Sequence, residues 1–414
     1  MWVLVVYNIK MVLELNNIFE SFDKNLIFKN KSLLQTRYQP KDIPYRDEQI
    51  KQIALVLAPV LRGERTSNLF LYGKTGTGKT LSILHVRDEL LKRVKSDSEY
   101  KLKIEYLNCK LKKVSDTEYR VLSEIIKKLG GEVPATGLPT QSVYSKFIEM
   151  VDSEKQLVVL ILDEVDQTTK KLSNDFLYNL TRLNSEISQS QISIVGISNN
   201  LTFLDELDPR VRSSLSEEEI IFPPYNAVQL QEILRKRAKE VFKEGVIRDE
   251  GVIAKCAAFA AREHGDARRA LDLLRVAGEL AERDGSKKIL LKYIDMANEK
   301  IERDKILDII DSEPKQFQLV LHSIIQLSEC NNKESMFTGD VYNFYQELCV
   351  KNKLEVLTQR RVSDIIQEFD MLGIINVRVI SKGRGGRMRE IKLAITKNIL
   401  EKAKEIIRSS LNYE

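Results

Sequence analysis

The sequence predicts a doubly wound α/β domain, then an all-helical domain, then a small unit of helices closed by a two-stranded hairpin. Three observations predict it. Between Ser67 and Phe222 short apolar runs alternate with helical stretches. After Pro223-Pro224 every segment to about Asp304 has helical period with no strand candidate. From about Asp311 three helical stretches precede two strand-like runs joined by KGRGGR.

The strand candidates of the first domain are NLFLYG (68–73), KIEYLNC (103–109), LVVLILD (157–163) and ISIVGIS (192–198). Each is a short apolar or β-branched run, as expected of strands covered on both faces in a parallel sheet. TEYRVLSEIIKKLG (117–130) reads as an intervening helix stopped by glycine. Alternation of this kind indicates a parallel sheet between helical layers. Asn226 is suited to cap the first helix of the second domain. The third unit has helices around 314–328 and 338–351, then TQRRVSDIIQEFDMLG (358–373), and strands at 374–381 and 388–395. Three helices followed by a glycine-rich hairpin is the order of a winged-helix domain. Domain limits are expected at 1–35 for an N-terminal extension, then 36–222, 223–304 and 305–414.

A chain of 414 residues exceeds one ordinary core, so two to three domains are expected. With 43% hydrophobic and 30% charged residues the composition is that of a globular chain, neither disordered nor fibrous. Net charge is +5, which permits a polyanionic partner without requiring one. Cys109, Cys256, Cys330 and Cys349 have no paired spacing, and three histidines are scattered among 414 residues. A zinc site is therefore not expected, and a reduced, cytoplasmic setting is. The apolar start MWVLVVYNIKMVLEL is broken by Asn8, Lys10 and Glu14, too short for a membrane helix and without a secretory pattern. Met11 is an expected alternative start.

GKTGTGKT, Gly73 to Thr80, satisfies the phosphate-loop pattern in full, after an apolar strand and before the helix LSILHVRDELLKRV. Gly73, Lys74, Thr75, Gly76, Thr77 and Gly78 form the turn. Its glycines free the backbone to aim N–H groups at phosphate oxygens, and the helix N-terminus adds its dipole. Lys79 can reach the terminal phosphates of ATP, and the Thr80 hydroxyl can ligate Mg²⁺. LVVLILDEVD carries Asp163 to the end of a buried strand, where it can hold Mg²⁺, and places Glu164 next to it as a general base. A third strand ends at Asn199, a polar group suited to orient water or meet phosphate, although Asn200 leaves the position ambiguous by one residue. LDPRVRSSL (207–215) places Arg210 and Arg212 just before the all-helical domain, and GDARRALDLL (265–274) places Arg268 and Arg269 at the start of a helix.

Taken together, Gly73–Thr80, Asp163-Glu164, GISN (196–199), RVRSSL (210–215) and GDARRALDLLR (265–275) resemble a AAA+ ATPase. With PYRDEQI (44–50), TEYRVLSEII (117–126), GEVPATGLP (131–139) and LDEVD (162–166), the chain is similar to archaeal replication initiators, relatives of origin recognition complex subunits. The similarity runs over roughly residues 28 to 400. It implies that Asn199 is sensor 1, that Arg268 is the sensor 2 arginine of the lid, and that Arg210 or Arg212 completes a neighbour's site, Arg210 being favoured. It also implies that the segment with Tyr38, Tyr45 and Arg46 packs on adenine.

Residues 378–392 carry Arg378, Lys382, Arg384, Arg387, Arg389 and Lys392 against Glu390 alone, with Gly383, Gly385 and Gly386 among them. Such a hairpin can enter a minor groove or lie on phosphates. Thr358, Gln359, Arg360 and Arg361 open the preceding helix, where a recognition helix presents donors to the major groove. The resemblance implies a second DNA contact through GEVPATGLPTQ, with Thr136, Gly137 and Thr140 close to the backbone. The expected function is an ATP-dependent initiator binding origin duplex DNA, with ATP or ADP and Mg²⁺ as cofactors. By the resemblance, hydrolysis is slow and switch-like. The same likeness implies a replicative helicase as partner and association with a second copy or paralogue on DNA. An ATP-regulated winged-helix transcription regulator is the alternative.

Overall fold

The computed structural model describes residues 27–35, 38–40, 42–94, 99–110, 117–134, 137–166, 174–215, 217–330, 336–381 and 387–411. They form two compact units, Met1–Ile294 and Asp295–Glu414. The division falls inside one continuous helix, Leu291–Ser312. That helix contains no glycine or proline to mark a junction.

In the first unit, β1 (Leu69–Tyr72), β2 (Lys101–Asn108), β3 (Gln156–Asp163), β4 (Gln191–Ser198) and β5 (Glu218–Ile221) form a parallel sheet in the order β2-β3-β4-β1-β5. Every residue of β3 is buried, which is why it reads as an uninterrupted apolar run. On one face Phe70, Leu160, Leu162 and Ile194 pack with the helices Glu118–Lys128 and Thr140–Val151 through Leu122, Ile125 and Phe147. On the other, Leu69, Leu71, Ile161 and Val195 pack with Ile83 of helix Lys79–Arg93 and Ile53 of helix Asp47–Leu57. β4 lies between β1 and β3, so the ends of all three open on one edge of the sheet, where such folds bind ligands.

The lid helices are Ala227–Val241, Glu250–Arg262 and Ala267–Arg283. Asn226 caps the first in a full capping box, accepting from Gln229 N at 2.9 Å while Gln229 Oε1 accepts from Asn226 N at 3.1 Å. Part of the expected N-terminal extension packs here. Phe28 pairs with Phe242, their ring centroids 5.2 Å apart, and Lys31 meets Glu279 at 2.9 Å.

The second unit has helices Lys315–Cys330, Thr338–Lys351, Gln359–Met371 and Lys397–Leu411. Strands β6 (Met336–Phe337), β7 (Ile375–Ser381) and β8 (Arg387–Leu393) form an antiparallel sheet in the order β6-β8-β7. Phe317 and Phe369 meet edge to face with centroids 4.3 Å apart, at the centre of a core that includes Leu321, Tyr345, Ile366 and Ile391. Phe369 is fully buried, so Phe369→Ala should destabilise this unit by about 3–5 kcal/mol. Hydrogen exchange in the full chain would register this as reduced protection across Gln359–Met371.

Candidate nucleotide site

A cleft of about 470 Å³ opens at the strand ends. Gly76 through Leu81, Asp163, Glu164 and Asn199 line one side, and Arg268, Leu271, Ile233 and Arg237 of the lid line the other. Leu33, Leu34, Tyr38, Pro40 and Ile43 close its apolar end. Tyr38 carries the Arg237 guanidinium 4.5 Å above its ring. That end is largely apolar with one aromatic ring, and the opposite end is polar and glycine-lined.

The glycine loop takes its shape from positive φ at Gly76 (65°) and Gly78 (94°). Gly76 is required twice over, because a β-carbon there would also lie 1.7 Å from Asp266 Oδ1. The lid touches the loop directly at this point, with Ala267 N donating to Gly76 O at 3.3 Å. Asp266 caps the helix behind it, accepting from Arg268 N at 2.8 Å.

Lys79 is 5% exposed. Its Nζ donates to Gly73 O at 2.7 Å, Lys74 O at 2.8 Å and Asn199 Oδ1 at 2.8 Å. Burial pushes this ammonium down to about 8, the Arg268 guanidinium adding to the effect and Asp163 opposing it. Of the two asparagines, Asn199 reaches Lys79. Asn200 turns away, accepting from Thr202 N at 3.0 Å and donating to Glu206 at 3.3 Å.

Asp163 Oδ2 accepts from Thr80 Oγ1 and from the Tyr106 hydroxyl, both at 2.8 Å. Burial and Asp163 together hold the Tyr106 phenol above its ordinary range. Glu164 has φ of 54° and donates its N–H to Asp163 Oδ1 at 2.9 Å. Left-handed backbone at a non-glycine residue costs ~1–3 kcal/mol and tends to persist at functional positions. Lys110 Nζ lies 3.6 Å from Glu164 Oε2. Thr80 and Asp163 present hard oxygen donors side by side, a set suited to Mg²⁺.

Some expected site residues lie elsewhere. Tyr45 and Arg46 are not in the cleft wall. The Tyr45 hydroxyl donates to Glu232 of the lid, and Arg46 is buried behind the loop, donating to Thr77 O at 2.7 Å. Gly73, Lys74 and Thr75 shape the loop but likewise do not line the cleft. Arg210 and Arg212 are surface groups on helix Pro209–Leu215, meeting Asp208 at 3.0 Å and Asp205 at 2.8 Å. Tyr106, Tyr225 and Arg237 line the cleft, although no motif marks them. Tyr106 stands two residues before the end of β2 beside β3, the one signal that points to it.

In the second unit Thr358 caps helix Gln359–Met371, accepting from Arg361 N at 3.3 Å. Gln359, Arg360 and Arg361 are exposed in its first turn. In the hairpin Val379 faces Arg389 and Ser381 faces Arg387 in register. Thr136, Lys382, Arg384 and Gly385 lie outside the described residues, as do Met1 and Met11. Gly137 has φ of 106° with open space around it.

A parallel sheet bearing this loop, an acidic strand end and a helical lid defines a AAA+ nucleotide-binding protein, here joined to a winged helix. Family profiles match accordingly: "AAA domain" at residues 62–202, "Cdc6 AAA+ ATPase-type lid domain" at 231–299 and "CDC6, C terminal winged helix domain" at 308–403. The "ORC1-type DNA replication protein" of Thermococcus onnurineus is 51% identical over 387 residues, 92% of each chain. That of Pyrococcus furiosus is 51% identical over 385 residues, 91% of this chain and 90% of its own. The structure of the Aeropyrum pernix ORC1 protein in complex with DNA is 42% identical with a TM-score of 0.81, covering 92% of this chain and 97% of that one. The chain belongs to the ORC1-type DNA replication protein family. No helix among the described residues is long and apolar enough to cross a membrane.

The contact between Gly76 and Asp266 yields a test of the site. Gly76→Ala combines backbone strain with a clash against the lid, so nucleotide affinity should fall at least about tenfold, as ~1.4 kcal/mol or more of strain requires. Equilibrium titration with a fluorescent nucleotide measures it, and unchanged affinity would mean that the lid does not close on this loop.

Proposed function

We propose that this protein is an ATP-dependent DNA replication initiator that binds origin duplex DNA. The observation that carries the reading is the likeness to ORC1-type proteins over nearly the whole chain, including an Aeropyrum pernix ORC1 solved with DNA. Thr80 and Asp163 would hold Mg²⁺ with ATP. That ion, when bound, neutralises charge developing on the phosphates. Lys79, held by two carbonyls and Asn199, is placed to turn its donors onto phosphate oxygens. Glu164, at the open edge of the cleft, polarises the attacking water. Arg268 brings the lid's charge to the same phosphates, so that lid position follows nucleotide state. Hydrolysis serves as a slow switch rather than a motor. Arg210, with Arg212 as its neighbour, is the group offered to an adjoining subunit or paralogue on DNA.

The exposed first turn of helix Gln359–Met371, with Thr358, Gln359, Arg360 and Arg361, is the major-groove element. The hairpin with Lys382, Arg384, Gly385, Arg387 and Arg389 grips phosphates. The segment with Thr136 and Gly137 supplies a second backbone contact from the ATPase domain. Recruitment of the replicative helicase follows from this placement on the origin.

Glu164→Gln should bind ATP normally while turnover falls by about 10²–10⁴, and full turnover in this variant would misplace the base. Changing both Arg384 and Arg387 to Glu should weaken duplex binding and flatten its salt dependence by about one unit of slope for each phosphate no longer neutralised. Unchanged affinity and slope would remove the hairpin from DNA binding. Chromatin mapping in cells should find the protein at one or a few replication start sites, and enrichment confined to promoters would make it a transcription regulator instead.

A further inference from the structure

Arg46 is 2% exposed, yet it takes no part in the cleft wall. Its guanidinium donates to the preceding residue and to two other segments. Nε donates to Thr77 O at 2.7 Å, Nη1 to Tyr45 O at 2.9 Å and Nη2 to Pro223 O at 2.6 Å. Its Cζ lies 3.8 Å from the centroid of the Tyr225 ring. These partners are neutral oxygens and an aromatic face, and burial holds the guanidinium below its ordinary range. A buried cation without an acid partner is costly, so the arrangement exploits the planar fork and the stacking that only arginine offers.

The segments it joins are those that would have to move together. Thr77 belongs to the phosphate loop. Pro223 and Tyr225 are the hinge into the lid. Tyr45 ends the strap over the apolar end of the cleft, and its φ of 61° is strain that surrounding contacts must hold. From the hinge the contacts return to the loop. Tyr225 O presses on Gly265, where a β-carbon would lie 2.3 Å from it, and two residues later Ala267 N meets Gly76 O. Loop, guanidinium, hinge and lid thus form a closed ring.

We propose that Arg46 is a positioning residue that transmits the state of the phosphate loop to the lid hinge. When the Thr77 peptide turns to serve phosphate, its carbonyl carries the guanidinium, and the guanidinium carries Pro223 and Tyr225. This rests on the nucleotide-binding reading above.

Hydrogen exchange on the full chain, with and without saturating ADP and Mg²⁺, tests it. In the native protein, nucleotide should slow exchange at residues 73–82 and also at 225–230. In Arg46→Lys, which keeps the charge but not the fork, the loop should remain protected while the nucleotide-dependent slowing at 225–230 falls at least about tenfold. Arg46→Gln, which keeps a donor but neither the fork nor the stacking, should give the same split, and it decides the matter if Arg46→Lys does not fold. Native protection at the hinge in the variants, or an equal proportional decrease in loop and hinge, would overturn the proposal and leave Arg46 a structural strut. A native protein whose loop is protected but whose hinge does not respond would overturn the coupling alone. One whose loop shows no protection would remove the nucleotide reading, and the coupling with it.

Discussion

The site depends on the backbone of the phosphate loop lying directly against the start of a lid helix. Ala267 N reaches Gly76 O at 3.3 Å, and a β-carbon on Gly76 would collide with Asp266. Only glycine permits that approach, and it brings two helix N-termini to one cleft: Lys79–Arg93 behind the loop and Ala267–Arg283 in front of it. Each contributes the positive end of its dipole. The Asp266 side chain satisfies the first amides of the second helix while lying next to the loop, so movement of the lid against the loop is felt at Gly76.

Much of the fold was legible because burial writes itself into sequence. β3 is covered on both faces and reads as a run of apolar residues, and β1 and β4 likewise match their expected spans within a residue or so. β5 carries no apolar run because it is an edge strand in which only Ile220 is buried. β6 has two residues and exists only through its partner β8, so no local period could reveal it. In the site, motif spacing located Lys79, Thr80, Asp163 and Glu164, since those chemical roles demand fixed neighbours. Direction was not legible. Asn199 and Asn200 are chemically identical, and only the course of the backbone beyond β4 sends one to Lys79 and the other to Glu206. Tyr45 and Arg46 adjoin the strap residues that do line the cleft, yet the turn at Tyr45 sends both side chains elsewhere.

The electrostatics explain why an anion suits this cleft more than another cation or a neutral ligand would. Lys79 is almost fully buried, and the oxygens it donates to are two carbonyls and an amide rather than carboxylates. Asp163 is committed to three donors from Thr80, Tyr106 and the Glu164 backbone. Positive charge and helix dipoles therefore converge where acids are already engaged. Neutral dipoles can hold a buried cation in position, but they return less of its missing hydration than a full negative charge does. A phosphate chain supplies that charge, and each Lys79 donor that turns to it leaves a carbonyl of the loop. Ligand charge and backbone shape are thereby exchanged for one another, which is the physical requirement for a nucleotide to act as a switch on the lid rather than as a passive occupant.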